Sequence, residues 1–326
     1  MAYLAGDIGG TKTHLALYET SGGTNRSVKD QKFPSQDYSD LRTIVKAFLE
    51  GEKAEIDRAC FGIAGPVNKG KSQATNLPWL VDSEQLSREL SIEKVALIND
   101  LEANAYGLNV LSDEEFFVLN KGDPAAEGNQ AMISAGTGLG EAGLYYDGKK
   151  HRPFACEGGH SDFASRNELE DDLLKYLRAK FKHVSYERIL SGPGLYNLYQ
   201  FLIDTNKETE KPDILEEIQQ GDSPQIISEL GVEGKSSACS RTLQLFTTIY
   251  ASEAGNIALK MLALGGVFIG GGIAPKILDF LKKGEFMESF TGKGRFSDLL
   301  AGIPVKVVLN DNTALLGSMY FAQNLI

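Results

Sequence analysis

Gly6-Asp7-Ile8-Gly9-Gly10-Thr11-Lys12 decides the fold, because the chain carries a counterpart far downstream, Ala135-Gly136-Thr137-Gly138-Leu139-Gly140. Each lies between apolar stretches that read as strands: Tyr3 to Ile8 and Thr13 to Tyr18 around the first, Gln130 to Ser134 and Glu141 to Tyr146 around the second. A strand, a Gly-Thr turn and a returning strand make a β-hairpin whose exposed backbone N–H groups can approach an anion. Glycine permits this because it has no Cβ and tolerates positive φ. One such hairpin is an ordinary tight turn. Two, one in each half of the chain, point to a phosphate gripped from both sides of a cleft.

Working outward, Ser27 to Phe33 reads as a third strand. Tyr38 to Leu49 follows with Leu41, Ile44, Val45, Phe48 and Leu49 at the spacing of one helical face. Arg58 to Ala64 and Val95 to Ile98 are short apolar runs of buried-strand length. This alternation predicts an α/β layer. The second half repeats the plan with strands at Phe116 to Leu119, the second hairpin and Lys150 to Ala155. Helices are predicted at Glu168 to Lys182, Gly194 to Asp204 and Ser236 to Leu264. A strand at Gly266 to Ile269 then runs into Gly270-Gly271-Gly272. Both halves thus open with a glycine-turn hairpin and proceed to α/β, an architectural duplication. The final helix, Thr313 to Asn324, follows a strand at Val305 to Leu309 and is expected to pack back. A smaller α/β domain of residues 1–110 with 312–326 and a larger one of 111–311 follow.

The 326 residues leave room for two cores. The net charge of -11 argues against a nucleic-acid partner and leaves no basic patch to pursue, although local amides and a metal can still build a phosphate site. Cys60, Cys156 and Cys239 are widely spaced in apolar or small-residue contexts, which favours reduced thiols in a cytosolic protein. Asp7 comes too early for a secretory leader, and no run approaches the ~18 apolar residues of a membrane span. A cytoplasmic protein with no membrane partner is expected.

Gly65-Pro66-Val67-Asn68-Lys69-Gly70-Lys71-Ser72 matches G-x-x-x-x-G-K-S letter for letter, but Pro78 stands where the required helix should run. Asn68-Lys69-Gly70-Lys71 reads better as a hairpin turn. At Leu97-Ile98-Asn99-Asp100 a buried strand ends in two short polar side chains before a helical pattern. Either residue can simply cap that helix. Strand carboxyl ends in open α/β sheets also bind ligands, so the readings coexist. Glu157-Gly158-Gly159-His160 makes a sharp loop able to aim a carboxylate and an imidazole the same way. His151, Cys156 and His160 match no zinc spacing. Tyr186-Glu187-Arg188-Ile189-Leu190-Ser191-Gly192-Pro193-Gly194 could be only a helix end with a Gly-Pro stop.

The ordered set GDIGGTK, FGIAGPV, TNLPW, LINDLEANAYGL, SAGTGLGEAGL, CEGGHSDFA, YERILSGPGL and FIGGGIAPKI, running from Gly6 to about Asn312, resembles the bacterial-type glucokinases of the actin-like ATPase superfamily. The resemblance implies two ribonuclease H-like α/β domains facing across a cleft and closing over a hexose and MgATP. It implies Asp100 as the general base for the sugar 6-hydroxyl. Asn99, Glu157, His160 and Glu187 are implied as ligands of the other hydroxyls, with Asn76 a further contact. Gly6, Asp7, Gly9, Gly10, Thr11 and Lys12 match the first phosphate motif, and Gly136, Thr137 and Gly138 the second. Gly270, Gly271 and Gly272 match the adenosine motif. Asp7 is the implied carboxylate near Mg²⁺, through water.

Lys12 replaces the Asn of many relatives, so its role beside the phosphates stays open. Around His160 the cysteine-rich zinc motif of the ROK sugar kinases is missing, and no structural zinc is expected. Kinases for mannose, fructose or an N-acetylhexosamine are the alternatives, as is a non-catalytic nucleotide-binding regulator. The regulator would have no use for Glu157, His160 and Glu187. A homodimer, the commonest soluble assembly, is the default expectation.

Overall fold

The computed structural model describes residues 1–22 and 24–325; Gly23 and Ile326 lie outside the described residues. The chain divides into two compact units, Met1–Asp113 with Pro153–Ala155 and Asn310–Ile326, and Glu114–Arg152 with Cys156–Leu309.

In the first unit, β1 (Ala2–Ile8), β2 (Lys12–Ser21), β3 (Thr24–Pro34) and β4 (Arg58–Ile63) precede a small three-stranded sheet of β5 (Val67–Asn68), β6 (Lys71–Gln73) and β7 (Leu80–Asp82), and β8 (Lys94–Asn99) follows. The main sheet has the order β3-β2-β1-β4-β8. β1, β2 and β3 pair antiparallel, and β1, β4 and β8 run parallel. β1 is buried along almost its whole length, as a strand covered on both faces must be. Leu4 and Ile8 pack with Phe61, Leu41, Ile44 and Phe48, burying the apolar stripe of α1 (Leu41–Leu49). The other face is covered by α3 (Asp100–Gly107) and the C-terminal helix Thr313–Gln323, which come closest where a Cβ on Gly317 would meet Ala103 O at 1.8 Å. The intervening α2 (Ser83–Leu90) is capped by Asp82.

β5, β6 and β7 settle the G-x-x-x-x-G-K-S match. Lys69 and Gly70 turn between β5 and β6 at φ 50° and 73°, and no helix follows. Lys71, the would-be phosphate lysine, pairs with Asp82 at 2.9 Å.

In the second unit, β9 (Phe116–Asn120), β10 (Gln130–Ala135), β11 (Leu139–Tyr146), β12 (His151–Cys156), β13 (Gly266–Gly270) and β14 (Val305–Val308) form a sheet of order β12-β11-β10-β13-β14-β9. Without β9 this repeats the first sheet strand for strand: a hairpin, then parallel strands added beside its first strand. The duplication is therefore real at the level of topology. The helices are α4 (Glu168–Lys180), α5 (Gly192–Asp204), α6 (Pro212–Gln220), α7 (Ser223–Val232), α8 (Ser237–Met261), α9 (Leu278–Leu281), α10 (Gly284–Thr291) and α11 (Ser297–Ala301). α8 is the buried centre of this layer, with Phe246, Ile249, Tyr250 and Ile257 against the sheet and its covering helices. The Gly192-Pro193-Gly194 segment starts α5 instead of ending a helix. Pro occupies its first turn, where a missing N–H costs nothing, and Ser191 Oγ accepts from Gly194 N at 3.1 Å. Cys60, Cys156 and Cys239 are free thiols.

Candidate active site

In the first unit, the bend between β1 and β2 closes with Gly9 N donating to Lys12 O at 3.0 Å. Ser35 braces it from below. Its Oγ donates to Gly9 O at 2.8 Å and meets Thr13 Oγ1 at 2.9 Å, while its N–H donates to Thr11 O at 2.9 Å. Gly9 and Gly10 are not in the left-handed region, so tolerance of positive φ is not what places them there. Close approach is the reason for glycine instead. A Cβ on Gly9 would lie 3.1 Å from Lys12 O, and one on Gly10 3.0 Å from Asn76 Cβ, so the bend rests on the turn holding Asn76. Gly6 sits inside the strand, not at the bend, where a Cβ would strike Phe61 Cδ1 at 2.5 Å.

Asp7 points to the face covered by α3. Burial raises its carboxyl pKa, with His14 and Lys12 opposing the shift. Among the described residues no hydrogen bond reaches this carboxylate. A desolvated, unpaired carboxylate lacks the positive charge that a hydrated divalent cation supplies, so the residue fits Mg²⁺. Lys12 is exposed, and its charge offsets part of Asp7's burial.

Asn99 and Asp100 leave the sheet at the same edge. Ile8, Ile63 and Asn99 form one row across β1, β4 and β8. Two strand spacings therefore separate the hairpin's base from Asn99, roughly 10 Å. Asn99 is the helix cap: its Oδ1 accepts from Leu101 N at 2.9 Å and Glu102 N at 3.4 Å, and its Nδ2 donates to Gly65 O at 3.1 Å. One Nδ2 hydrogen stays for a ligand. Asp100 occupies the first turn of α3, half-buried, with Oδ1 accepting from Leu101 N at 2.9 Å.

In the second unit, Gly136 N donates to Gly138 O at 2.8 Å to close the bend between β10 and β11. A Cβ on Gly136 would meet nothing within 4 Å, so the space beside the bend is open there. Gly270 pairs in register with Ser134, placing Gly271 and Gly272 beside the bend at the ends of two adjacent parallel strands. Gly271 has φ 83°, and a Cβ there would lie 2.2 Å from Ala135 O; beside Gly272 the space is open. The buried Tyr250 hydroxyl pins both strand ends, accepting from Ala135 N at 3.1 Å and lying 3.1 and 3.2 Å from Ile133 O and Gly270 O.

Glu187, from the 3-10 turn Tyr186–Arg188, reaches the same bend. Leu139 N donates to its Oε2 at 3.1 Å, and a Cβ on Gly138 would come within 2.5 Å of that oxygen. His160 Nδ1 lies 3.9 Å from Glu187 Oε1. Glu157 and His160 flank Gly158 and Gly159, which lie directly on β11. A Cβ on Gly159 would meet Leu139 O at 2.1 Å, and one on Gly158 would meet Glu141 Oε2 at 1.8 Å. Both glycines are thus required by contact with the strand.

The first unit brings together Asp7, Gly9, Gly10, Thr11, Lys12, Asn76, Asn99 and Asp100; the second brings together Gly136, Thr137, Gly138, Gly270, Gly271, Gly272, Glu157, His160 and Glu187. Sequence reasoning missed Ser35 and Glu141. Ser35 carries no sequence signal, whereas Glu141 is a lone acid in an apolar strand pattern.

The glucokinase family model matches residues 4–325. The chain is similar to a glucokinase of Trichormus variabilis, 43% identical over 340 aligned residues covering 99% of each chain. It is similar to a glucokinase of Escherichia coli at 36% identity over 315 residues, covering 97% of this chain and 95% of that one. Among solved structures, a glucokinase from an Antarctic psychrotroph matches with a TM-score of 0.85 at 32% identity over 99% of both chains. A ROK family glucokinase from Streptomyces griseus, in complex with glucose and AMPPNP, shares the fold at a TM-score of 0.68 and 18% identity over the whole of both chains. With its doubled hairpin-led sheet and its full-length match to these kinases, the chain has the actin-like ATPase fold and belongs to the glucokinase family.

Proposed function

We propose that Asp100 is the general base of an ATP-dependent phosphorylation of the glucose 6-hydroxyl, with Asn99, Glu157, His160 and Glu187 holding the other hydroxyls and Asn76 adding a contact. The amides of the Gly9–Lys12 and Gly136–Gly138 bends take the phosphates, and Gly270–Gly272 lies against the adenosine. Residues 1–110 with 312–326 and residues 111–311 act as the two catalytic domains, each supplying part of this set. The observation that carries the reading is the shared edge in the first unit: the phosphate hairpin and the β8–α3 junction bearing Asp100 end on the same side of one sheet.

Proton removal need not precede bond formation, because phosphoryl transfer has a loose transition state and positioning supplies most of the effect. A carboxylate oriented by the first turn of α3 suffices. Asp7 would hold Mg²⁺ through water; the ion, when bound, neutralises charge on the phosphates. Carboxylates accept from the sugar rim while Asn99 Nδ2 donates, so an inverted or missing hydroxyl leaves a polar group unpaired and is rejected. Expected surroundings are the cytoplasm, with no nucleic acid or membrane as partner and a homodimer as the default assembly.

The test is glucose 6-phosphate formation from glucose and ATP, measured by a coupled dehydrogenase assay. Mannose, fructose and N-acetylglucosamine are compared by kcat/KM. Absence of product from glucose, with turnover of another hexose, would replace the substrate; no turnover of any sugar would end the reading.

A further inference from the structure

Behind the two turns that carry Glu157, His160 and Glu187 lies a buried polar cluster that phosphoryl transfer does not use. Glu253, on α8, is fully buried in a helix face otherwise occupied by Tyr250, Ala254 and Ile257. Its carboxylate accepts from Asn256 Nδ2 at 2.7 Å and from Lys260 Nζ at 3.2 Å. Its negative charge acts on Glu141 and on the Tyr186 hydroxyl, and Asn256 Nδ2 bridges it to that hydroxyl.

From there, two connections run outward. Glu141, on β11 and 2% exposed, places Oε2 under Gly158, next to Glu157 and two residues before His160. Tyr186 immediately precedes Glu187, and its hydroxyl accepts from Asn256 Nδ2 at 3.1 Å. One carboxylate therefore bears on the supports of both turns, on Glu141 through its charge and on Tyr186 through Asn256.

Such a pair is a poor way to gain stability. Two adjacent buried carboxyls repel unless they share a proton, and an apolar pair of similar volume would pack at no such cost. What the pair supplies is direction: Glu253 acts on the buried carboxyl that lies directly under Gly158. We propose that Glu253, acting through Glu141 and Tyr186, is the positioning residue that sets Glu157, His160 and Glu187 relative to one another, so that sugar affinity depends on a carboxylate that never touches sugar. This rests on the reading of those three as sugar ligands.

Burial, and next the Glu253 charge, push Glu141 up to about 8, so near neutral pH it carries the shared proton. The other titratable groups facing the pair are Lys260 and Tyr250 on α8, Cys156 on β12, Tyr186, and Lys293 with Arg166 beside it. Lys293, held by Ser252 Oγ at 2.9 Å and Asn256 Oδ1 at 2.6 Å, is pushed down to about 8 by burial. An alkaline change is therefore assigned by substitution, not by its midpoint.

The experiment is steady-state kinetics of the full chain with glucose and ATP varied separately, alongside thermal melting. Glu253→Gln raises the glucose KM about 10- to 100-fold, the effect of roughly 1 Å of misplacement, and leaves the ATP KM near its starting value. Tyr186→Phe raises the glucose KM alone. In the unsubstituted protein the glucose KM rises above pH 8, as two charged carboxylates part, and Glu141→Gln abolishes that rise. An unchanged glucose KM in folded Glu253→Gln overturns the proposal, as does an equal rise in both KM values with a lower melting temperature. Should Glu253→Gln fail to fold, unchanged glucose KM in Tyr186→Phe together with an unaltered alkaline rise in Glu141→Gln overturns it. If the unsubstituted protein phosphorylates glucose while these variants behave like it, only the positioning role falls; if it phosphorylates no sugar, the functional reading falls first.

Discussion

Gly138→Ala separates the fold's demand at the second bend from the site's. The added methyl would lie 2.5 Å from Glu187 Oε2 and 3.4 Å from its Cδ. Ordinary carbon contact begins near 3.5 Å, so the carboxylate must move by about 1 Å. The atom displaced ends a side chain with several free torsions, 32% exposed, so it swings aside at little cost to the fold. Gly138 is not in the left-handed region, and alanine there stabilises by about 0.4–1 kcal/mol through the unfolded state. The site loses the bond from Leu139 N to Glu187 Oε2. A hydrogen bond to a charged group contributes about 1.5–3 kcal/mol. Solvent around a third-exposed carboxylate puts the figure at the low end, about a tenfold loss in kcat/KM for glucose. Glucose kinetics and melting temperature measured together should move in opposite senses, activity down and stability level or up. Gly138→Ala combined with Glu187→Gln should be no worse than Glu187→Gln alone, since both remove one interaction. Full activity in Gly138→Ala, or additive losses in the pair, would refute the reasoning.

Asp100→Asn should lower kcat by roughly 10²–10⁴, the usual effect of removing a positioned base, while retaining glucose binding by calorimetry; near-normal turnover would remove Asp100 from that role. Gly317→Ala places a Cβ 1.8 Å from Ala103 O and 2.6 Å from Gly107 N, backbone atoms that cannot swing away, and should destabilise by about 1–3 kcal/mol or more in denaturant melts. Asn99→Ala removes the α3 cap and should cost about 0.5–2 kcal/mol, read in the same melts, before any effect on sugar is counted. Burial raises Glu141 from 4.5 to about 8, so between those values the folded state keeps a proton that the unfolded chain has released. Stability from this group is present below 4.5 and lost as pH rises through about 8. Glu141→Gln should flatten that part of the decline in melting temperature, and equal slopes would count against a buried, protonated Glu141.

The hairpins, the duplicated order and the family were legible because each leaves a local trace. Gly-Thr bends interrupt apolar runs at Gly9–Thr11 and Gly136–Gly138, and the motifs keep their order. The helix expected from Gly194 to Asp204 is α5, which begins two residues earlier, and the helix-end reading of its Gly-Pro failed because Gly-Pro is a stop signal only after a helix. Here Ser191 stands before it as a cap, so the same letters open one. α6 and α7 were not singled out, although Ile214 and Ile218 keep helical spacing within mostly charged sequence. Of the two reasons for glycine at the bends, the missing Cβ held and the positive φ did not. Tolerance of positive φ is a property of one residue, whereas the observed constraint at Gly10, Gly138 and Gly158 is a partner from a distant segment: Asn76, Glu187 and Glu141. No reading of neighbours along the chain supplies that partner.

The two repeats, alike in topology, differ in where they put negative charge, and the difference follows from what a hairpin bend offers. Free amides at the end of a sheet attract an anion whatever its source. In the first unit no hydrogen bond among the described residues joins the bend's amides to a side-chain carboxylate, and the acid sits back in the strand as Asp7, which accepts none among them either. In the second unit the amide of Leu139 already holds Glu187, a carboxylate of the same chain, and the amide of Gly136 closes the bend on Gly138 O. A bend of the kind that takes an anion thus has one amide already committed to a carboxylate of its own chain. Any change that moves the second bend must then also move Glu187, whereas in the first unit Asp7 on β1 and Asp100 in the first turn of α3 belong to separate elements and can be altered one at a time. Duplication supplied the same frame twice; the placement of two carboxylates made one copy coupled and the other modular.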